Sequence, residues 1–448
     1  MPAESDDFSA AAARFASTLA LADVPEPIVL KARGCLLYGL GIGVACIGTG
    51  FGATALRAMR DLDGDAAPGG ATVLASGARL PASAAAFANA VMMHGRCQED
   101  TCGSAHLGVA ILPALLALIE SGQAPGANLL PALVAGYEVA GRIEMQLGRR
   151  STARGFRASP LYGTLAAAVA AARAMDLPVD RTAAALACAC AFAGGTLQAI
   201  ADGTDEWRYQ MGGAVRRGLE AALLARAGAV GSTRPLEGEL GFAMGHARTL
   251  PAPMDPGTWV LPTVAFKLYP VCNRNQTAAL LAANIHRSIA ADRIRAIRIR
   301  ISPNVLAGML ERGPFQRLGQ TLMSTYFSCA TALAAGTITL EALTDFDNAA
   351  IRGLIDRMTI ETDPSVPYPS ASAEVETVDG RRLEFAERKT FEDYSFTRDQ
   401  INALLERLAH ETGRPVSAMR ELDGYAYGSA IDSADPVLRA YATARGAR

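Results

Sequence analysis

The segment HGRCQEDTCGSAH concentrates side chains that exchange protons or act as nucleophiles. From His94 to His106 it holds two histidines, two cysteines and the acids Glu99 and Asp100. Imidazole titrates near neutral pH, so His106 is a candidate general base. Cys97 carries protons if a nearby cation lowers its pKa, an effect that the two acids oppose. The segment therefore predicts acid–base chemistry; the alternatives are a helix-capping role for His106 and simple packing for Cys97.

The sequence lacks the motifs that would indicate a bound cofactor or metal. The glycine-rich segment 39–52 follows no predicted strand, so it is weak evidence for a phosphate site. Neither a P-loop nor a nucleophile elbow occurs. The closest cysteine pairs, Cys97 with Cys102 and Cys188 with Cys190, lack the spacing of zinc ligands. We therefore predict no cofactor and no metal.

The composition indicates a globular enzyme with two domains. The chain has 448 residues, which is more than one ordinary core accommodates; half are hydrophobic and 19% are charged. A net charge of −2 favours neither nucleic acid nor a membrane as partner. The opening residues MPAESDDFSAAAARF lack the features of a signal peptide, and the cysteines are scattered. We therefore expect reduced thiols and a cytoplasmic location.

Apolar residues recur at three- and four-residue spacing up to about residue 260, which predicts helices. The segments are 28–48, 109–121, 130–146, 162–175, 181–200 and 215–230. Alanine and glycine dominate them, and such small side chains let helices approach closely. We therefore predict a helical domain formed by residues 1–262 together with the helical tail 397–448.

The period of the apolar pattern changes to two after Pro262. The isoleucines of RIRAIRIRIS (residues 293–302) share one face, which predicts a strand. Asp379-Gly380 supplies the turn of a hairpin. Further strands are expected at 358–363 and within 372–388, and helices at 276–290 and 325–335. We therefore predict a smaller α+β domain over residues 263–396, with a largely antiparallel sheet, in a fold that is mainly α.

Four segments resemble signature segments of the MmgE/PrpD family. His106 with the following ILPALLAL resembles its histidine-containing signature, and residues 154–175 resemble its RGWHPT segment. Residues 207–225 resemble its KxxHxGxAAxxG segment, and residues 267–282 its KxYPxCxxxHxA segment. The family includes 2-methylcitrate dehydratase, cis-aconitate decarboxylase and iminodisuccinate epimerase. The resemblance implies a two-domain plan, a homodimer, and a proton transfer beside a carboxylate of a small di- or tricarboxylate.

The sequence departs from the family pattern at positions that family members use for chemistry. The first acid of the DxDDT signature is Cys97 here, and the tyrosine of a later segment is Phe327. Histidines of three signatures are replaced by Arg157, Gln210 and Gln276, and a lysine by Trp207. The replacements make the expected pocket more apolar, which suits a substrate with fewer charges or an apolar tail.

The candidate site combines the resemblance with the residue types. The candidate catalytic residues are His106, Thr101, Asp100 and Cys97. The candidate substrate-binding residues are Arg157, Tyr162, Trp207, Arg208, Gln210, Lys267, Gln276 and Tyr326, with Arg274 as an additional cation; for each arginine an ion pair elsewhere is the alternative. We expect His106 to lie in the interdomain cleft within reach of Thr101, Arg157 and at least one of Gln210 and Gln276, with Trp207 closing one side.

The predicted function is a cofactor-independent lyase, most simply a dehydratase, that acts on a small, partly apolar carboxylated substrate. His106 moves the proton next to the carboxylate. Two alternatives stay open. An isomerase or epimerase of the same family would need a second acid or base, for instance Cys97, opposite His106. A family member that has lost catalysis would keep the fold and the dimer.

Overall fold

The computed structural model describes residues 7–66, 69–255 and 257–446. The helices of the first part are α1 (Phe8–Thr18), α2 (Glu26–Ala45), α3 (Phe51–Asp63), α4 (Ala82–Met93), α5 (Gly108–Glu120), α6 (Leu129–Ala153), α7 (Ala158–Ala174), α8 (Val179–Phe192), α9 (Gln198–Asp202), α10 (Glu206–Ala227) and α11 (Phe242–Ala247). The short strands β1 (Ala71–Thr72) and β2 (Arg79–Leu80) pair beside them.

The second part begins with α12 (Gln276–Ser288) and holds a four-stranded sheet. It continues with β3 (Ile294–Ile301), α13 (Leu318–Met323), α14 (Thr325–Ala335), α15 (Ala349–Asp356), β4 (Met358–Thr362), β5 (Ala371–Thr377) and β6 (Arg382–Glu387). The chain ends in α16 (Arg398–Thr412), α17 (Val416–Ala426) and α18 (Asp435–Gly446). The fold is mainly α with a smaller sheet-containing part, as the sequence predicts.

Two large apolar cores divide the molecule. The first is built from α1–α8, α10 and α11 together with the C-terminal helices α16–α18. The second joins α12, α14 and α15 to one face of the sheet, and Cys97, Ala199 and Trp207 from the first part reach into it. This distribution places residues 97 and 199–207 between the two cores, whereas the domain boundaries near residues 262 and 397 stay a prediction.

Helix α2 lies in the centre of the first core. It is long and apolar enough to cross a membrane, but 72% of its apolar window is buried inside the protein. At Gly41 and Gly43 the missing Cβ atoms leave room for Leu405 of α16 and Tyr441 of α18. The Tyr441 hydroxyl also donates a hydrogen bond to the Leu40 carbonyl at 2.8 Å. The C-terminal helices thus close the core around α2.

The sheet has the strand order β4-β3-β5-β6. Ile297, Ile299 and Ile301 of β3 are 2%, 0% and 6% exposed, which confirms the strand predicted from the period of two. β5 pairs antiparallel with β3 and β6, whereas β4 pairs parallel with β3. The sheet is therefore mixed: it is largely antiparallel, as the sequence predicts, and the β3–β4 pair is the parallel exception. The connection from β3 to β4 passes through α13–α15, the kind of crossover that a parallel pair requires.

The helix predicted over 181–200 is interrupted. α8 ends at Phe192, and the backbone is irregular until α9 begins at Gln198. Gly195 has φ 137°, a conformation that side chains other than glycine rarely adopt. The interruption turns residues 196–200 away from the helical core and towards the second part of the molecule.

Candidate functional site

A cavity of about 290 Å³ lies between the two parts of the molecule. Its walls come from residues 97–106, the start of α7, the segment 197–207, residues 267–274, and residues 304–323. Of the predicted site residues, it is lined by Cys97, Thr101, His106, Arg157, Trp207, Lys267 and Arg274. Five segments of sequence therefore converge there, together with Thr152, Tyr368 and Phe391.

Backbone pairing brings the two most polar walls together. Thr101 and Ala265 form an antiparallel bridge, with N–H···O distances of 2.8 and 2.9 Å. The buried Tyr38 hydroxyl donates to the Gln98 carbonyl at 2.5 Å and accepts from the Lys267 N–H at 3.0 Å. These contacts fix residues 97–106, which we call the acidic loop, against residues 267–276, which we call the lysine loop.

His106 is held at the floor of the cavity with a defined tautomer. Its Nδ1 lies 2.7 Å from the Asp100 carbonyl oxygen, which only accepts, so Nδ1 carries the proton. Its Nε2 is then the basic nitrogen, and it lies 3.3 Å from Glu99 Oε1. Burial, followed by the charge of Lys267, holds the pKa of His106 well below its usual range. The imidazole is therefore neutral at pH 7 with its lone pair available.

Glu99 connects the ionisable groups of the floor. Its Oε1 lies 3.2 Å from His94 Nδ1, 3.3 Å from His106 Nε2 and 3.4 Å from Lys267 Nζ. Burial opposes ionisation, but the neighbouring His94, Lys267 and His106 together hold the pKa of Glu99 well below its usual range. Glu99 is thus an ionised carboxylate facing three nitrogen-bearing side chains.

His94 orients Glu99 and is itself oriented by Arg157. His94 Nε2 accepts from Arg157 Nη2 at 2.6 Å, so the proton of the neutral ring is on Nδ1, facing Glu99. Burial lowers the pKa of His94 to about 4. Arg157 also donates through Nη1 to the Trp207 carbonyl at 2.5 Å. Both terminal nitrogens of Arg157 are used inside the protein, so it does not present the open fork predicted for a substrate carboxylate.

Lys267 is the buried cation of the cavity. Its Nζ donates to the Cys97 carbonyl at 2.7 Å and lies 3.4 Å from Glu99 Oε1. Burial opposes the charge, but the neighbouring Cys97 and Glu99 raise the pKa of Lys267 overall, so it stays charged. Burial raises the pKa of the Cys97 thiol to about 11, which keeps it protonated at neutral pH.

Several buried oxygen atoms of the cavity wall have no hydrogen-bond partner. They are the Thr101 and Thr152 hydroxyls and Glu99 Oε2. A buried polar atom without a partner costs stability, about 1–3 kcal/mol. Hydroxyls that line a cavity in this condition are suited to hydrogen-bond a polar ligand.

Three of the predicted residues lie behind the cavity wall. Asp100 accepts from the Tyr137 hydroxyl at 2.8 Å, and burial raises its pKa to about 6. The Tyr162 hydroxyl lies 2.9 Å from the Ser151 hydroxyl. Arg208 packs on the ring of Trp207 and donates to the Gly95 carbonyl and to Asp205. Each is satisfied by the protein itself.

Three further predicted residues also lie outside the cavity lining. Gln276 binds the backbone of its own loop, accepting from the Leu268 and Tyr269 N–H groups and donating to the Tyr269 and Val271 carbonyls. Gln210 lines a separate surface groove and donates to the Thr196 carbonyl. The Tyr326 hydroxyl accepts from the Ile360 N–H. The expectation that Gln210 or Gln276 lies beside His106 is therefore not met.

Three further residues of the cavity were not among the predicted site residues: Glu99, Ser159 and Thr152. Glu99 stood in the candidate segment as the third residue of the DxDDT-like signature, but it was considered only for its effect on Cys97. The Ser159 hydroxyl accepts from the His106 N–H at 3.3 Å. Nothing in the local pattern distinguishes Ser159 or Thr152 from other hydroxyls, because only the tertiary structure brings them to the cavity. Among the described residues, no group of three or more histidines, cysteines and acids is arranged to hold a metal ion.

Comparison with known proteins gives matches along most of the chain. The MmgE/PrpD N-terminal domain matches residues 10–251, and the MmgE/PrpD C-terminal domain matches residues 269–418. The cis-aconitate decarboxylase-like protein oryM of Aspergillus oryzae is 28% identical over 426 residues, covering 86% of this chain and 87% of that protein. The cis-aconitate decarboxylase of Homo sapiens is 30% identical over 308 residues, 64% of this chain and 63% of that enzyme. That of Mus musculus is 30% identical over 312 residues, 64% and 62% of the two chains.

The aligned region thus spans less than two thirds of the two mammalian enzymes and most of the fungal protein. Both family domains occur in the expected order and together cover most of the sequence. The chain belongs to the MmgE/PrpD family.

Proposed function

We propose that this protein is a cofactor-independent lyase for a small substrate with at least two carboxylates, and that His106 transfers the proton next to one of them. The observation that carries the proposal is the group formed by His106, Glu99 and Lys267 at the floor of the interdomain cavity, beside the unpartnered Thr101 hydroxyl. The names of the relatives and of the family support a lyase-type reaction.

The charges of the cavity select an anion. Among the described residues that line it, Glu99 is the acid, whereas Lys267, Arg157 and Arg274 are basic. Lys267 and the Thr101 hydroxyl bind one carboxylate near His106, and Arg274, half-buried at the wall, binds another. Charged hydrogen bonds of this kind are short and strong in a site from which water is excluded.

The neutral state of His106 suits the removal of a proton. Nε2 takes the proton from the carbon next to the bound carboxylate, and the imidazolium that forms is stabilised by Glu99 at 3.3 Å. The electron pair of the broken C–H bond then forms the double bond as the hydroxyl on the neighbouring carbon leaves. His106 returns its proton to this hydroxyl, which departs as water. An anionic substrate beside Lys267 offsets the charge that lowers the pKa of His106, so the base strengthens when the site is filled.

Decarboxylation is the second candidate, because all three relatives carry cis-aconitate decarboxylase in their names. In this reaction the bond to the departing carboxylate breaks and carbon dioxide leaves. The electron pair of the broken bond stays on the carbon and is delocalised onto the neighbouring unsaturated acid. His106 takes up a proton from solvent after the anion binds. It then delivers this proton to the carbon from which carbon dioxide has left. The same residues serve both reactions, with the proton moving in opposite directions.

Epimerisation is less well supported by the groups present. It requires a second acid–base group on the other face of the carbon, and Cys97 is the candidate. A thiol whose pKa is about 11 is a weak source of thiolate at neutral pH, so it is poorly suited to remove a proton.

The decisive experiment measures the step that both lyase reactions share. The purified protein is incubated in deuterium oxide with cis-aconitate, citrate or 2-methylcitrate, and NMR follows deuterium incorporation next to the carboxylate. Carbon dioxide release identifies decarboxylation, and loss of water identifies dehydration. If no polycarboxylate shows either deuterium exchange or product, the result would contradict the proposal and favour a family member that has lost catalysis.

We also propose that the protein is a cytoplasmic homodimer. Leu240 is fully exposed, and Met145, Leu250 and Met244 are 55%, 51% and 37% exposed. The backbone N–H of Ala252 donates to a side chain of α6, which places this segment along that helix. Apolar patches of this kind mark contact surfaces. Light scattering at micromolar concentration is expected to give twice the mass of one chain; a monomer would contradict the proposal.

A further inference from the structure

The cavity has two ends of different chemistry. The floor holds the charged group described above. A third, small apolar cluster consists of Cys272, Met309 and Met323, with Ile200, Val305 and Leu306 packed against it; Ile200 and Val305 also pack against the second large core. Ile200, Leu306 and Met323 from this cluster also line the cavity. A ligand that fills the cavity therefore meets charges at one end and aliphatic side chains at the other.

The apolar end continues to the surface. Leu197, Ile200 and Leu306 line both the cavity and a neighbouring surface groove of about 330 Å³, whose other walls are small or polar: Gly155, Ala201, Ala307, Thr196 and Gln198. Leu197, Ile200 and Leu306 are half-buried. We call this path, from Met323 past Ile200 and Leu306 to the groove, the apolar arm. Aliphatic surface left partly in water gains free energy when an apolar group covers it.

The path exists because of the interruption after α8. Gly195 turns the chain, and α9 then presents Ile200 to the segment that follows β3. Gly308 of that segment packs against both: a Cβ at this position would lie 3.7 Å from Met323 Cβ and 3.8 Å from the Ile200 carbonyl oxygen. Arg274, which donates to Asn304 at 3.2 Å, stands at the boundary between the arm and the polar wall.

We propose that the substrate carries an unbranched alkyl chain, and that this chain lies along the apolar arm while the carboxylates bind at Lys267 and Thr101. The proposal rests on the proposed function, because it takes the carboxylates to bind at that floor. A compact tricarboxylate satisfies the floor but leaves the aliphatic arm in contact with water. An alkyl chain covers both the arm and its continuation into the groove.

A homologous series of ligands tests the length of the chain directly. Succinate and its 2-methyl, 2-butyl and 2-hexyl derivatives are titrated into the protein by calorimetry. Burial of each methylene is expected to tighten Kd about fourfold, until the arm is filled. Because the readout is binding, it does not depend on turnover of the true substrate.

Variants locate the chain. Leu306→Ser and Ile200→Ser are expected to reduce the gain per methylene to less than about twofold, since they remove the aliphatic contacts. Leu310→Ser is the matched control, because Leu310 is 41% exposed and does not line the cavity. Lys267→Met is expected to weaken every ligand by the same factor and to leave the dependence on chain length unchanged.

The outcomes separate the two proposals. If Kd is the same for all four ligands but depends on Lys267, the alkyl-chain proposal is wrong and the proposed function stands. A gain with chain length that persists in both serine variants would place the chain elsewhere and overturn the assignment of the arm. If no succinate binds at all, both proposals fail.

Discussion

The acidic loop and the lysine loop meet at the same cavity, and both resemble family signatures, yet they use their polar side chains differently. In the acidic loop, Glu99, Thr101 and His106 face the cavity. In the lysine loop, Lys267 faces the cavity, whereas Gln276 makes four hydrogen bonds to the backbone of its own loop. A shared position in a family signature therefore does not fix the role of a side chain.

The difference has a physical cause. Glutamine has two donors and two acceptor lone pairs and does not titrate near neutral pH, so it can satisfy several backbone groups at once. Gln276 is 2% exposed and holds residues 268–271 in an irregular conformation by binding both N–H and carbonyl groups of their backbone. Glutamine in place of histidine at this position thus removes a proton carrier and stabilises the loop through hydrogen bonds to its backbone.

The largest expected effect is that of His106→Ala. Removal of the group that transfers the proton is expected to lower turnover by about 10²–10⁴-fold, with little change in the melting temperature. Steady-state kinetics on the substrate found by the exchange experiment measure the first, and thermal unfolding measures the second. The exposed His410 provides the matched control, since His410→Ala removes an imidazole far from the cavity. Turnover that survives His106→Ala would assign the proton to another group, with Cys97 the next to test.

Gln276→Leu tests the structural role assigned to the lysine loop. The variant removes four hydrogen bonds, although the Tyr269 carbonyl still accepts from the Val271 N–H, so we expect the free energy of unfolding to fall by about 2–4 kcal/mol. Denaturant unfolding measures the change, and Gln316→Leu on the exposed surface is the control. A variant of normal stability with impaired turnover would show that Gln276 acts on the substrate, and the contrast between the loops would not hold.

Lys267→Met tests the one side chain of the lysine loop that faces the floor. Loss of a charged hydrogen bond is expected to weaken binding of a dicarboxylate by about 10–100-fold. Lys389→Met removes a half-buried lysine that pairs with Glu387 and Asp393 elsewhere, so it is expected to bind normally. Unchanged affinity in Lys267→Met would move the anion site towards Arg274.

The pH dependence of stability tests whether His94, which contacts Glu99 of the acidic loop, is buried as a neutral imidazole. The pKa of His94 is lowered to about 4 in the folded protein from 6.5, so the unfolded chain binds a proton in this range that the folded protein does not. Stability is therefore expected to fall as the pH falls from about 6.5 to about 4. His94→Gln keeps an acceptor for Arg157 and a donor for Glu99 but does not titrate. The stability of this variant should therefore fall less over the same pH range. His410→Gln should behave as the unaltered protein; equal slopes for all three would indicate that His94 is not buried in the neutral form.

The smallest effect is expected for Gln210→Ala. Gln210 lines a surface groove and makes a 3.4 Å contact with Arg157, so we expect a change in stability within about 0.5 kcal/mol and turnover within about twofold. A large loss of turnover would show that Arg157 depends on this contact to orient His94. Helix α10 would then contribute to the site together with the two loops.

The sequence predicted the fold class and the elements whose period is clear. The predicted helix over 325–335 has the bounds observed for α14, and the strand within 293–302 is β3. Helix α4, which is alanine-rich and buried on nearly all sides, has no polar face and was not predicted. The parallel pairing of β4 depends on a crossover, which no local pattern reveals.

The candidate site was predicted in part, and the failures share one cause. His106, Thr101 and Lys267 line the cavity, but Tyr162, Arg208 and Gln276 are satisfied by neighbours that only the tertiary structure supplies. Residue type indicates what a side chain can bind and not which partner reaches it first. Their roles in catalysis and binding stay predictions until the variants are measured.

The closure of the first core by α16–α18 has a consequence for how the protein is made. The glycine face of α2 receives Leu405 and Tyr441, which lie far along the chain from α2 and are synthesised long after it. Domains generally fold as units while the chain is being synthesised, beginning with the N-terminal ones. In this protein the segment that is inserted between the two parts of the helical core is synthesised before α16–α18, so α2 stays partly uncovered until those helices have been made.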